Sequence, residues 1–414
     1  MPQKIVLIVI DGLTAAAFEA AVENGLAPTL GLLAREGRYR RAVSAFPSLT
    51  PVCLSTIATG AGPDVHEIPH LVWWHRGERR LVEYGSSFGA IRAAGLTRSL
   101  RDAIVDMNRR HLGADAVTVF EALEDAGLVA AAVNFTCYRG RTLHAATLPG
   151  VPPVLGPRRF FFFNLFESDP TGAPLAVRNR ASGTVDAYVE AVGRWLVVRD
   201  GFDFLVYYLS DYDFASHALG PEDARRELAR TDDRIRALVE AAGGLDEFLE
   251  RYAVIVCSDH GQTAVTHAAR LEDAFAGLRG VRVTASNRAA MAYGDDPRAL
   301  AERLEGHPAV DVAAFLEDGE PVVFGDVDAH PDGRARITAA LRNPNAGEVL
   351  VSAAPGWEFC DLGGRHHAGG GSHGSLTAGD SEVPMLTIGV EGEPERIADV
   401  AGVALAHLGV HAAA

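Results

Sequence analysis

Six aspartate and histidine residues fall just beyond or just ahead of apolar runs, and together they could hold divalent cations. The run at 4–10 (KIVLIVI) ends in Asp11-Gly12, and the run at 203–209 (DFLVYYL) leads into SDYDFASHALGP, which carries Asp213 and His217. The run at 252–257 (YAVIVC) ends in Ser258-Asp259-His260-Gly261, and GGGSHGSLTAGDSEVPML places His373 ahead of a last apolar run. Carboxylate oxygen with imidazole nitrogen favours Zn²⁺ and admits Mn²⁺ or Fe²⁺. Asp213 and His217 are four apart, so one helical turn puts them on one face. Asp259 and His260 are adjacent and can turn toward one ion or straddle two. Six such ligands exceed one tetrahedral shell. Two ions about 4 Å apart are the natural arrangement, and that geometry suits in-line displacement at phosphorus. Singly, each piece has a plainer reading. Asp-Gly after a strand makes a turn, DxxxH on a helix is an ordinary surface pair, and a Gly-rich stretch holding His366, His367 and His373 is an ordinary loop. Their common placement at strand ends is what points to a metal site.

The elements that must position these residues alternate along the chain. The runs at 4–10, 129–134, 203–209, 252–257 and 385–390 are continuously apolar, as suits strands buried on both faces of a mostly parallel sheet. Between them, 115–126, 180–198 and 222–242 show helical spacing. This alternation predicts a doubly wound α/β sheet flanked by helices, with ligands beyond the carboxyl ends of its strands. Two regions break the rhythm. Residues 64–112 mix aromatics and charges without a period and read as an excursion near the site. Residues 265–350 hold short strand candidates (VRVTA, PVVFG) and helix candidates at 296–305 and 334–342, and read as a small inserted α+β cap. The expected division is therefore a core from 1–264 and 351–414 with a cap from 265–350.

With 414 residues and 48% hydrophobic content, the chain can bury a large core. A net charge of −16 argues against a surface that coats nucleic acid, while bound cations could still draw an anionic substrate locally. Cys53, Cys137, Cys257 and Cys360 are widely spaced without a CxxC pair, so they read as reduced thiols. The apolar run after MPQ is about seven residues long and ends on an aspartate. It is too short for a secretory leader, and no stretch is long enough to span a membrane. A cytoplasmic protein is the expectation.

Five motifs in order, IDG, FPSLT, DFASHALGP, SDHG and HGS, run from residue 11 to residue 374. Over nearly the whole chain they resemble the type I phosphodiesterase/nucleotide pyrophosphatase family of the alkaline phosphatase superfamily. The resemblance implies that family's fold and a two-metal phosphoesterase acting on a small phosphorylated substrate, a nucleotide among the candidates. It puts the nucleophile at Thr50, and a threonine hydroxyl needs a dication or a base to attack at neutral pH. It also implies one ion on Asp213, His217 and His373, a second on Asp11, Thr50, Asp259 and His260, and a phosphothreonine intermediate. Zn²⁺ is the expected metal, with Mn²⁺ as the alternative. Residues 50–59 would form a helix whose first amides face the phosphate, with Thr50 as its N-cap ahead of Pro51. Ser48 and Ser55 are rival hydroxyls.

One departure concerns substrate. The family often continues its nucleophile segment as Thr-Phe-Pro-Asn, and here the stretch reads Thr50-Pro51-Val52-Cys53. Cys53 is a weak donor where an asparagine would bind phosphate. Asn134, Arg139, Arg141, His66, His70, Trp73 and Trp74 are substitutes to consider, and Asp211 could support a ligand from behind. The Cys/Ser-x-Pro-x-Arg segment of sulfatases is missing, and no serine has the surroundings of a phosphoglycerate mutase nucleophile. Phosphomonoesterases and phosphonate hydrolases share the two-metal core, so the motifs are compatible with either. The intact set of seven positions argues against an inert metal- or anion-binding homologue.

Overall fold

The computed structural model describes residues 3–169 and 184–410. Its centre is a seven-stranded sheet: β1 (Lys4–Ile10), β2 (Arg38–Val43), β3 (Ala130–Val133), β4 (Arg159–Phe161), β5 (Phe204–Leu209), β6 (Tyr252–Cys257) and β7 (Glu382–Ile388). The spatial order is β2-β7-β6-β1-β5-β3-β4. From β6 through β4 every pairing is parallel, whereas β7 is antiparallel to both β6 and β2. The mostly parallel sheet is therefore as read from sequence, and the reversed strand is the last one. That reversal matters for chemistry. The residues preceding β7 lie at the same sheet edge as the carboxyl ends of the parallel strands, and His373 is among them.

β1 shows why the sheet is buried on both faces. Ile5, Leu7 and Val9 pack into one apolar cluster with Leu49, Val52 and Leu54. Val6, Ile8 and Ile10 pack into the opposite cluster with Phe18, Val189 and Ile235. The period of two sends alternate side chains to opposite layers. Each fully buried aliphatic side chain stabilises the fold by about 1.5–3 kcal/mol.

The helical periods appear as Val119–Asp125, as Val185–Arg199, and as Arg225–Ala241. Residues 180–183 of the second period lie outside the described residues. Thr118 and Glu121 form a capping box, and Thr184 caps the next helix. The unperiodic region 64–112 is a short hairpin (Val72–His75 with Arg80–Glu83), two short helices (Phe88–Ala94 and Leu96–Arg101) and a ten-residue π-helix, Asp102–His111. A π-helix shifts its side-chain faces from the 3.6 period, which is why no helical pattern is visible there.

A second, five-stranded antiparallel sheet arises from the segment between β6 and β7. Its order is Arg282–Ser286, Ala289–Tyr293, Val349–Ala353, Val310–Glu317, Glu320–Phe324, with helices Pro297–Glu302 and Gly333–Leu341. It packs against the 72–83 hairpin and Phe46 through Trp73, Val82, Met291 and Leu350. Among the described residues no helix is long and apolar enough to cross a membrane.

Candidate active site

All seven residues singled out in the sequence meet at one edge of the central sheet. Asp11 follows β1, and Asp259 and His260 follow β6. Asp213 and His217 lie on α1 (Asp211–Leu219), which begins directly after β5. Thr50 opens the helix Thr50–Thr59, reached from the end of β2. His373 arrives from the reversed strand. Gly12 is required by close approach: its φ is +73°, and a Cβ there would lie 2.6 Å from Asp213 Oδ1.

The donor atoms are tightly grouped. His260 Nε2 is 3.4 Å from both Asp11 Oδ1 and Asp259 Oδ2, and 3.0 Å from Thr50 Oγ1. Asp213 lies 3.4 Å from His217 Nε2 through Oδ2 and 3.9 Å from His373 Nε2 through Oδ1. Two sets have ligand atoms within 4.8 Å of one another: Asp11, Asp259 and His260, and Asp213, His260 and His373. His260 belongs to both because its ring stacks on that of His373 at 3.7 Å. His217 stands at the margin of the second set, its ring 5.0 Å from that of His373.

Each histidine is fixed by the backbone. Nδ1 of His217 lies 2.9 Å from the Gly371 carbonyl, that of His260 3.0 Å from Gly261, and that of His373 2.7 Å from Ser48. A carbonyl only accepts, so Nδ1 carries the proton and Nε2 presents its lone pair inward. Metal-binding imidazoles are commonly held this way. Asp259 Oδ1 accepts from the amides of Gly12 and His260, while its buried Oδ2 has no hydrogen-bond partner among the described residues. The Tyr208 hydroxyl donates to Asp11, and Gln262 Nε2 donates to Asp213 Oδ1 at 2.6 Å. Three carboxylates and three inward-facing imidazoles in a buried site suit divalent cations in both donor type and charge.

Charge tuning follows from burial and neighbours. Burial pushes Asp259 up, and Asp213 adds to this. Burial also opposes ionisation of Asp213, but when no cation is bound a protonated His217, by charge and hydrogen bond, overcomes it and holds that carboxyl below its usual range. In turn burial lowers His217, and Asp213 outweighs it to raise the imidazole. His373 is driven well down, by burial first and then by His260.

The site forms the floor of a cavity of about 590 Å³. Its other wall comes from residues 71–107 and α1: Leu71, Tyr84, Phe88, Ile91, Met107 and Phe214, with the polar Ser86, Ser87 and Thr136. Phe88 is 72% exposed and Phe214 53%, so two large apolar rings stand at the mouth. The buried carboxylate of Glu83 accepts from Ser86 N and Gly85 N and shapes this rim.

Other expectations change. Leu49, not Thr50, is the N-cap of the Thr50–Thr59 helix, because Leu49 is the residue with extended backbone and Thr50 is already helical. The amides of Val52 and Cys53 bond to the Leu49 carbonyl and Pro51 has no N–H, so the Thr50 amide remains to face an anion. Ser48 and Ser55 are fully buried and bond to carbonyls, which removes both as rivals to Thr50. Cys53 points into the core with its sulfur 3.2 Å from Ser44 Oγ, and burial pushes its thiol up. The proposed substitutes do not line the cavity. Arg139 is spent on Glu121 and carbonyls, Arg141 on Asp125 and Glu121, and Arg282 covers Trp74. His66 bonds to Thr56, the His70 ring accepts from the Val72 amide, and Trp73 and Asn134 are buried. Asp211 accepts from the Asp186 amide at the start of Val185–Arg199.

The structure adds residues that sequence reasoning missed. Asn287 lines the cavity with Nδ2 3.0 Å from His373 Nε2. It sits in the turn between Arg282–Ser286 and Ala289–Tyr293 at φ +56°, where SNR reads simply as a turn. Gln262 was within reach, two residues after His260. His367 also lines the cavity, its ring 4.2 Å from His217 and its Nδ1 3.1 Å from Glu358 Oε2, while His366 is exposed.

Asp and His side chains thus gather at the carboxyl edge of a doubly wound sheet, the place where α/β enzymes form their sites. The profile of the type I phosphodiesterase / nucleotide pyrophosphatase family matches residues 5–376, and the chain belongs to that family. Phosphonoacetate hydrolase from Sinorhizobium meliloti in complex with phosphonoformate superposes with a TM-score of 0.68 at 20% identity, covering 98% of this chain and 96% of the other. An inactive variant of murine ectonucleotide pyrophosphatase/phosphodiesterase 5 in complex with AMP gives 0.68 at 14% identity, covering 100% and 96%. No curated protein sequence matches the chain.

Proposed function

We propose that the chain hydrolyses a phosphodiester or nucleotide pyrophosphate bond whose ester substituent is uncharged, with Thr50 as nucleophile. The observation that carries this reading is the Thr50 hydroxyl itself, set 3.0 Å from His260 Nε2 within a cluster of three aspartates and three histidines. One cation would be held by Asp213, His217 and His373, the other by Asp11, Thr50, Asp259 and His260. Zn²⁺ is the metal this donor set favours, with Mn²⁺ second. When bound, such ions offset phosphoryl charge and make a hydroxyl nucleophilic at neutral pH.

Thr50 Oγ1 forms a bond to phosphorus as the bond to the leaving oxygen breaks, giving phosphothreonine; the hydroxyl proton is lost and the leaving group departs as the alcohol or the phosphate. Water then cleaves that ester and restores the hydroxyl. The Asn287 amide, carried in by the cap, supplies the donor that Cys53 does not. In this reading 1–264 and 351–414 are the catalytic core and 265–350 is the cap, with the boundary moved past strand Val349–Ala353, which is the middle strand of the cap sheet and would be cut at 350. Four free, buried thiols support a reducing, cytoplasmic setting.

A phosphonate hydrolase is the second reading, favoured by the likeness to phosphonoacetate hydrolase. Against it, the described residues lining the cavity include no lysine or arginine to pair with a substrate carboxylate. The test is metal analysis with turnover of bis-p-nitrophenyl phosphate, p-nitrophenyl phosphate and phosphonoacetate. The diester should be fastest. Preference for the monoester would make the chain a phosphatase, and preference for phosphonoacetate would favour the second reading. Turnover of none would remove the proposal.

A further inference from the structure

Arg336 is a buried cation with no carboxylate in salt-bridge contact among the described residues; Asp332 and Asp380 act on it only from farther away. It lies on the cap helix Gly333–Leu341 and is 7% exposed. Its hydrogen bonds end on three carbonyls and one hydroxyl: Ala45 O at 2.8 Å, Pro331 O at 3.2 Å, Leu376 O at 3.5 Å and Ser48 Oγ at 3.0 Å. Its Nε has no partner among the described residues. The other deeply buried arginine, Arg288, is paired with Asp380 at 2.8 Å. An unpaired buried charge is costly. Burial pulls Arg336 down to about 10, which still leaves it charged at neutral pH.

What Arg336 holds gives a reason for the cost. It grips two segments at once: 45–48, which leads into Thr50, and the chain just after His373. Ser48 joins them. Its hydroxyl accepts from Arg336 and lies 3.0 Å from the carbonyls of both Ala45 and Ser375. Its amide donates to Gly374 O at 3.3 Å, and its carbonyl accepts from His373 Nδ1 at 2.7 Å. One guanidinium therefore fixes the residue whose carbonyl holds His373 Nδ1–H, opposite the Asn287 amide at Nε2, and which lies two positions before Thr50.

We propose that Arg336 is a positioning residue: acting through Ser48, this cap side chain holds His373 with Nε2 facing the site and fixes the approach to Thr50. The consequence for ion binding rests on the assignment of His373 as a ligand above, whereas the tautomer does not. The cap thereby contributes to the chemistry from behind the site as well as through Asn287.

The experiment uses Arg336→Met, Ser48→Ala and the double variant in the full chain. Zinc titration should show one of two ions bound about 10–100-fold more weakly in each single variant, with the other ion unchanged. The two effects should not add, because both break one linkage. Arg336→Lys should restore part of the loss. In parallel, ¹⁵N-histidine NMR should show His373 as the Nδ1–H tautomer in the parent and as a mixture in the variants. If Arg336→Met does not fold, Ser48→Ala carries the same two readouts. Unchanged tautomer in a folded variant, or additive effects, would overturn the proposal. A parent protein that binds no zinc would remove the metal assignment of the proposed function and leave the tautomer measurement to decide this inference.

Discussion

The floor and the far wall of the cavity are built in opposite ways. The floor consists of charged and imidazole groups delivered by strand ends, each histidine fixed by a backbone carbonyl. The wall is mainly a hairpin, two short helices and a π-helix, and the described residues of 71–107 that line the cavity are uncharged. Rigid strand ends suit groups that must be placed to within a fraction of an ångström. A wall of short elements with exposed rings suits recognition of a substituent. The difference teaches that chemistry and specificity come from separate parts of the chain here, so each can be broken without the other.

The largest effect should come from the floor. Thr50→Ala is expected to lower kcat on the diester by about 10⁴-fold or more while the melting temperature stays close to the parent's, since Leu49 and not Thr50 caps the helix. Stopped assays with thermal melts check both halves, and substantial residual turnover would take Thr50 out of its role. Next in size is ion removal. Chelation should abolish diester turnover and zinc should restore it, while the wall keeps its fold. Activity that persists after exhaustive chelation would mean the floor works without cations.

Much of the floor was legible in the sequence, and the physical reason is plain. A polar residue directly after a doubly buried strand has to emerge at the sheet edge, so Asp11, Asp259 and His260 declare themselves. Asp213 and His217 follow by helical spacing after β5. The reversal of β7, which brings His373 to the same edge, is not encoded in local composition, because a buried strand reads as apolar in either direction. Asn287 was hidden for a similar reason: its turn has no period, and only the packing of the five-stranded sheet on the rest of the molecule carries it to the site. The wall was opaque because a π-helix and short helices lack the 3.6 repeat that sequence reading relies on.

A smaller effect should mark the wall. Phe88→Ala is expected to raise KM for bis-p-nitrophenyl phosphate by about 5–10-fold, near the value of one aromatic contact, and to leave kcat within about twofold. With Phe88 72% exposed, its loss should cost little stability. A methyl ester in place of one nitrophenyl group should lose most of this dependence. A fall in kcat at unchanged KM would mean that Phe88 belongs with the chemistry and would break the division.

The smallest effect is a pH response of the wall region. His66, His70 and His111 are buried there, and burial lowers them to about 3, about 4 and about 3. In the unfolded chain each would titrate near 6.5, so between these values the unfolded state binds the extra proton. Stability is therefore fully present above about pH 6.5 and is lost as the pH falls toward 3–4. Well inside that window each histidine contributes a slope of about 1.4 kcal/mol per pH unit, and between pH 7 and 6 each contributes less than about 1 kcal/mol. Hydrogen exchange at pH 7 and 6 should show residues 64–112 loosening before the central strands do. His70→Gln should flatten the response, because its replacement cannot gain a proton. If β1 and β6 lost protection together with 64–112, the wall and the floor would form one cooperative unit, and the separation between them would hold for chemistry but not for stability.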